Sequence, residues 1–261
     1  MLAARLRIIV KVSRVRGVIA RHDGWTQVAV VLAAVFGYLG ARLLIEPNWE
    51  AAFANARKIA ELEQVFHLGW EDDLQRFFLT SVPGAVKAMN AFYFLGHFVL
   101  TGVFFVWLYR RDRGGFRAFR DGFVAATVFS ALIHWQFPAA PPRLLGDLGF
   151  VDTLYTMSGI DIGSQHTSAL SNPVAAVPSL HAGYALGVGA GLLRYGRSHW
   201  TRIGGVAYPV AVVLTILVTG NHFVLDAVAG LLVLVAGFLT ASLVRRPHRR
   251  PAGTLTGTHL T

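Results

Sequence analysis

The sequence predicts an all-α integral membrane protein with six transmembrane helices and both termini on the cytoplasmic side. Of its 261 residues, 54% are hydrophobic and only 15% are charged, whereas ordinary soluble domains carry about 25% charged residues. The mean hydropathy is +0.50. These values exclude a disordered chain, a soluble nucleic-acid-binding protein and a coiled coil.

Six stretches are apolar enough to approach the roughly 20 residues that a bilayer-spanning helix requires. They run near Thr26–Ile45, Ala88–Tyr109, Phe119–Phe137, Pro178–Leu193, Ile203–Thr219 and His222–Val244. The fifth stretch contains Pro209, which predicts a kink, and only Gly220 and Asn221 separate it from the sixth. The last two stretches are therefore predicted to form a tight helical hairpin.

The distribution of basic residues predicts the orientation. Of the 24 Lys and Arg residues, 18 lie in the amino-terminal segment, the loops after the second and fourth spans, and the carboxy-terminal tail. Six spans place all four segments on one side, where only 3 of the 14 acidic residues lie. Because basic residues collect in cytoplasmic loops, the net charge of +10 indicates membrane topology and not a nucleic-acid partner.

The same topology predicts the domain organisation. Residues 1–24 form a basic amphipathic segment at the cytoplasmic face, residues 25–244 form a single membrane domain, and residues 245–261 form a disordered cytoplasmic tail. Residues 46–87 have helical periodicity but are too polar to span, so we expect them at the outer interface. Residues 138–177 have no regular period and are predicted to form a functional outer loop.

Three polar clusters fall at the outer ends of the third, fourth and sixth spans. His222 and Asp226 are four residues apart and therefore share a helix face. A carboxylate beside an imidazole fixes its tautomer, and a histidine held in this way is able to act as a nucleophile. His181 lies in the first turn of the fourth span, where it is placed to donate a proton.

The same clusters contain groups suited to binding an anion. Pro178 and Ser179 are typical of a helix start, where free backbone N–H groups favour anions, and the guanidinium of Arg143 matches phosphate oxygens. The combination predicts phosphoryl transfer without a metal or another cofactor. Ser179 is equally well interpreted as a helix cap.

At these residues the chain resembles the type-2 phosphatidic acid phosphatase superfamily of membrane lipid phosphatases. That family has a Lys followed by an Arg-Pro, then a Pro-Ser-x-His, then a Ser-Arg followed by His-x-x-x-Asp. Residues 178–181 match the second motif, His222 and Asp226 match the end of the third, and Arg143 stands for the Arg of the first.

The resemblance implies a role for each of these residues. His222 is expected to attack phosphorus and form a phosphohistidine, with Asp226 orienting it. His181 is expected to protonate the leaving oxygen, while Arg143 and Ser179 hold the phosphate. The fold implied is the helical bundle of that superfamily, and the activity is that of a phosphatase or phosphotransferase acting on a lipid phosphate or a phosphorylated head-group lipid.

Two motif positions depart from the family pattern. Gln136 stands where the family has Lys, and Ile216 stands where it has Arg. The run Phe-Pro-x-Ala-Pro-Pro and the Gly-Asn-His before the final Asp look like the branch of inositol phosphorylceramide synthases, which move a phosphorylated head group between lipids. Gln136, Asn221 or Arg76 is expected to replace a missing cation.

These expectations place the protein in the inner (plasma) membrane, with its site facing the extracytoplasmic side and with membrane lipids as partners. Two other functions fit the residues. A rhomboid-type intramembrane serine protease would use Ser179 and His222, and a non-catalytic lipid-binding or transport protein would use none of them. We expect His97 to bond a neighbouring helix. His134 lies one turn before the loop that contains Arg143, and a place for it in the pocket lining is the less favoured of its interpretations.

Overall fold

The computed structural model describes residues 47–162 and 173–245, together with isolated positions between 24 and 40 that are all helical. The elements are α1 (Trp49–Val65), α2 (Glu71–Ser81), α3 (Pro83–Ala91), α4 (His97–Arg111), α5 (Arg113–Gln136), α6 (Thr153–Ser158), α7 (Leu180–Tyr195), α8 (His199–Val218) and α9 (Val224–Val244). A π-helical turn, Phe92–Gly96, joins α3 to α4. Most of the first predicted span and of the basic segment 1–24, and the tail beyond Arg245, lie outside the described residues.

Three helical stretches of the described chain are long and apolar enough to cross a membrane: Pro83–Arg111, His199–Val218 and Val224–Val244. They indicate a membrane protein, as the composition predicts. The third and fourth predicted spans correspond to α5, which has polar residues at both ends, and to α7, which has only 16 residues. The six-span topology stays a prediction.

Two helix boundaries differ from the sequence expectation. The helix that contains the second span begins at Pro83 and not at Ala88, because proline is well suited to the first helical position. The outer loop 138–177 is partly regular, since it contains α6, with Asp152 accepting a hydrogen bond from the Tyr155 N–H as its cap.

The outer helices α1 and α2 bury both apolar and polar side chains. Ile59 of α1 is buried in a hydrophobic cluster, and the polar side chains of Glu63, Glu71 and Gln75 are buried as well. Their exposed positions include apolar side chains, such as Phe77, beside charged ones. The placement of residues 46–87 at the membrane interface stays a prediction.

The membrane helices pack closely where glycines face each other. Helix α9 packs along α5 and against α7, and α7 packs along α8. Gly183 of α7 lies against Gly230 of α9, and a Cβ on Gly230 would approach the Ser179 carbonyl oxygen to 2.1 Å. Small residues of this kind let helix backbones approach closely in membranes, which brings the amino-terminal ends of α7 and α9 together.

Candidate active site

The loop after α5 is tied to the segments that precede α7 and α9. The Ala139 N–H donates to the Val174 carbonyl over 2.8 Å, and the Ala176 N–H donates to the Ala139 carbonyl over 3.1 Å. Further along this loop, the Arg143 N–H donates to the Gly220 carbonyl over 2.7 Å. The three polar clusters, far apart in sequence, are therefore joined by backbone hydrogen bonds.

His222 lies in the turn before α9 and is buried. Its Nδ1 is 2.9 Å from the Ala176 carbonyl oxygen and 3.4 Å from Asp226 Oδ2. A carbonyl oxygen only accepts hydrogen bonds, so Nδ1 carries the proton and, in the neutral ring, Nε2 carries the lone pair. Among the described residues, His222 Nε2 has no hydrogen-bond partner.

Asp226 supports His222 and also links two helix starts. Its Oδ2 accepts the Phe223 N–H over 2.9 Å, and its backbone carbonyl accepts the Ser179 N–H over 2.9 Å. The Ala176 carbonyl is nearer to His222 Nδ1 than the Asp226 carboxylate is. A backbone carbonyl carries no signal in the sequence, so this partner of His222 is visible only in the structure.

His181 lies next to His222, on the first turn of α7. The two ring centroids are 5.9 Å apart. The ring of Tyr93 stacks on the His181 ring with a centroid distance of 4.3 Å. His181 Nε2, like His222 Nε2, has no hydrogen-bond partner within the described part of the chain. Tyr93 belongs to the π-helical turn, a feature that often marks functional sites, but no sequence motif identifies it.

Two further histidines lie near this pair. The His97 ring is 4.8 Å from the His181 ring, and its Nδ1 hydrogen-bonds the Tyr208 hydroxyl on α8 over 2.9 Å. The expectation that His97 bonds a neighbouring helix is thus confirmed. His134 Nε2 lies 3.3 Å from the Pro178 carbonyl oxygen, which places its ring beside the segment that leads into α7.

Arg143 is 4% exposed, and its guanidinium has three hydrogen-bond acceptors among the described residues. Its Nη1 donates to Asp152 Oδ2 over 2.5 Å, its Nε donates to Asn221 Oδ1 over 3.2 Å, and its Nη2 donates to the Ile162 carbonyl over 3.5 Å. Sequence reasoning did not identify Asp152 as the partner of this guanidinium. The carboxylate of Asp152 already balances the one cation that matches a family motif.

A comparison with known protein families matches a region that contains the same residues. The family model described as the PAP2 superfamily matches residues 57–240, which include Arg143, His181, His222 and Asp226. The chain belongs to the PAP2 superfamily. Neither curated proteins nor solved structures provide a match. Membership indicates a phosphatase- or phosphotransferase-type function, and the branch resembling inositol phosphorylceramide synthases stays a prediction.

The residues that replace the two missing PAP2 motif cations, and the groups suggested to take over their role, differ in burial and contacts. Gln136, at the end of α5, is exposed and hydrogen-bonds none of the other candidate site residues, and Ile216 is fully buried and apolar. The side chain of Arg76 is 61% exposed and pairs with the neighbouring acids Asp72 and Asp73. Of the three suggested replacement groups, only Asn221 contacts Arg143.

The structure also bears on two alternatives, a serine nucleophile at Ser179 and a metal site. The Ser179 hydroxyl accepts the Ala182 N–H over 3.3 Å as the cap of α7, and it makes no hydrogen bond with His222 within the described residues. A serine nucleophile requires such a bond to its base, so the protease arrangement has no support. Over the same described residues, no group of three or more His, Asp or Glu side chains has a geometry that suits a metal ion.

Proposed function

We propose that this PAP2 protein transfers a phosphorylated head group from a membrane lipid to water or to an alcohol, through a phosphohistidine on His222. One observation carries the proposal: hydrogen bonding of Nδ1 to the Ala176 carbonyl and its closeness to Asp226 leave Nε2 of His222 as the lone-pair nitrogen. This nitrogen is buried, has no hydrogen-bond partner among the residues that the structure describes, and lies next to His181. A neutral imidazole with a free lone pair is a competent nucleophile.

The first half of the reaction forms a covalent intermediate. Nε2 of His222 attacks phosphorus, and the bond between phosphorus and the oxygen of the lipid alcohol breaks. His181 donates its proton to that leaving oxygen, so the lipid departs as a neutral alcohol. The positive charge that develops on His222 is stabilised by the Asp226 carboxylate.

The second half releases the head group. His181, now neutral, accepts a proton from water or from an acceptor alcohol, whose oxygen attacks phosphorus. The bond between phosphorus and His222 Nε2 breaks, and the imidazole regains its starting form. Water gives hydrolysis and an alcohol gives transfer, so one intermediate serves both outcomes.

The charge of the site favours a phosphodiester over a phosphomonoester. A phosphomonoester carries about −1.5 to −2 charge at pH 7, whereas a phosphodiester carries a single negative charge. Arg143 is already paired with Asp152, and the other two motif cations are replaced by Gln136 and Ile216. Burying an uncompensated charge is costly, so a lipid with a phosphodiester-linked head group is the better match.

The location of the reaction follows from the predicted topology. The charge asymmetry supports an extracytoplasmic site in a multi-pass protein of the inner membrane. Single exposed apolar side chains on α1 and α2, such as Val65 and Phe77, are compatible with an interfacial position beside this site. The lipid tails then stay in the bilayer while the phosphate reaches His222.

The test uses the purified protein with lipids whose phosphate carries a radioactive label. We expect phosphodiester lipids to be consumed faster than lipid phosphomonoesters, and an added alcohol to receive the labelled head group. His222→Ala is expected to abolish both the labelled product and the label that the phosphohistidine intermediate leaves on the protein. His199→Ala, at an exposed histidine on the other end of the bundle, serves as the control and should behave like the unmodified protein.

Each result bears on a separate part of the proposal. Turnover that survives His222→Ala would overturn the phosphohistidine mechanism. A preference for phosphomonoesters would overturn the substrate class but not the mechanism. A serine-directed inhibitor that stops the reaction would favour the protease hypothesis instead.

A further inference from the structure

Three buried carboxyl groups surround the first turn of α9, immediately after His222. Glu63 of α1 and Glu71 of α2 are 1% and 2% exposed, and Asp226 of α9 is fully buried. Within the described residues, no Lys or Arg forms an ion pair with any of them. Buried carboxyl groups without a cation are costly, so their arrangement requires an explanation.

Each carboxyl group accepts one of three successive backbone N–H groups. Asp226 accepts from Phe223, the next residue after His222, over 2.9 Å. Glu71 accepts from Val224 over 3.1 Å, and Glu63 accepts from Leu225 over 2.7 Å. The first N–H groups of a helix have no partner within the helix, and its positive dipole end favours acidic groups. Two outer helices therefore hold the start of α9.

Such a cluster is stable only when it retains a proton. Carboxyl groups this close cannot all be ionised, and the pKa of Glu63 is raised to about 9, first by burial and then by a hydrogen bond shared with Glu71, although the Leu225 N–H opposes the rise. The carboxyl groups of Glu71 and Asp226 also raise this pKa by electrostatic repulsion. At neutral pH, Glu63 therefore retains its proton.

We propose that Glu63 and Glu71 are positioning residues for the phosphoryl-transfer reaction. The two glutamates accept the amide N–H groups of Val224 and Leu225, which holds the turn containing His222 and keeps its imidazole against Ala176 and Asp226. Neither glutamate touches the reacting atoms, so their effect on the reaction is exerted through His222. The proposal rests on the proposed function, because it assigns a role relative to that histidine.

Three variants test the proposal in steady-state assays across the pH range. Glu63→Gln keeps an acceptor for the Leu225 N–H and stays neutral at every pH. Glu63→Ala removes this acceptor and is expected to lower kcat by about 10- to 100-fold, the scale of a misplaced reacting group, with little change in KM. Glu61→Gln is the matched control, because Glu61 lies on the same helix but is exposed.

The pH profile separates positioning from a merely structural role. In the unmodified protein and in Glu61→Gln, kcat is expected to fall as the pH rises through about 9, where Glu63 loses its proton. Glu63→Gln is expected to restore the kcat that Glu63→Ala loses and to lack the part of the alkaline decline that Glu63 causes. An alkaline decline identical to that of the unmodified protein, or an unchanged kcat in Glu63→Ala, would overturn the proposal.

A second measurement does not depend on turnover. The folded-state pKa of Glu63, about 9, exceeds the ordinary glutamate value of 4.5, so the folded protein binds more protons between these values and its stability falls as the pH rises. Thermal unfolding in detergent should show a smaller fall in Glu63→Gln. If His222→Ala retains activity, the proposed function fails, whereas the unfolding data still decide whether Glu63 holds the proton.

Discussion

Replacement of Gly230 by alanine tests whether the contact between α7 and α9 holds the site together. A Cβ at this position would lie 2.1 Å from the Ser179 carbonyl oxygen and 3.0 Å from its carbonyl carbon. Because the obstacle is backbone, which cannot rotate away, the two helices must separate by about 1 Å to restore ordinary contact. The displacement acts directly on the turn that carries His181 and on the helix that carries Asp226.

The magnitude follows from two opposing terms. Overpacking costs about 1–3 kcal/mol, and alanine regains about 1 kcal/mol over glycine in a helix, so we expect a net destabilisation of about 0–2 kcal/mol. A displacement of about 1 Å between reacting groups lowers kcat by about 100-fold. The loss in activity should thus exceed what the loss in stability alone explains.

The assay compares Gly230→Ala with Gly102→Ala. A Cβ on Gly102 of α4 meets nothing within 4 Å, so this control is expected to retain its kcat and to unfold at the same or a higher temperature. Head-group release gives kcat, and thermal unfolding in detergent gives stability. An unchanged kcat in Gly230→Ala would refute the reasoning that close approach of these helices sets the catalytic geometry.

Three other changes have defined outcomes. Asp152→Asn removes the carboxylate paired with Arg143. We expect kcat/KM for a lipid phosphomonoester to rise about tenfold relative to that for a phosphodiester, the scale of one charged hydrogen bond. An unchanged ratio of the two kcat/KM values would contradict the charge argument. Gly220→Ala forces alanine to a φ of +65° and should lower unfolding stability by about 1–2 kcal/mol, unlike Gly204→Ala, where space is open. Arg76→Ala should leave kcat/KM unchanged, because this side chain is exposed and pairs only locally; a marked loss would restore it as a phosphate-binding cation.

Much of the fold was predictable because its signals are local. Apolar length predicts the helices α8 and α9, and the helical periodicity of residues 46–87 corresponds to α1 and α2. The π-helical turn Phe92–Gly96 was not predictable, since no residue pattern requires it. Nor was the helix α6 within the outer loop, whose short length gives too few turns for periodicity to appear.

The candidate site was likewise predictable only in part from the sequence. His181, His222 and Asp226 are candidates from the sequence because each lies within a short motif, and the charge distribution predicts the side of the membrane on which they fall. Asp152 and Tyr93 were not identified, because they act on Arg143 and His181 through contacts between separate elements. The prediction for Gln136 has no support in the structure, where its side chain is exposed, because spacing in a motif does not fix the direction of a side chain at a helix end.

The sequence by itself therefore determined the class, the apolar helices and the residue types available for phosphoryl transfer, since composition, periodicity and short motifs depend on neighbours along the chain. Only the tertiary structure decided which nitrogen of His222 is free, which carboxylate neutralises Arg143, and how Glu63 reaches the amide of Leu225. These contacts join residues as far apart as 162 positions. Their energies depend on burial and on distances of about 3 Å, which exist only once the helices have packed.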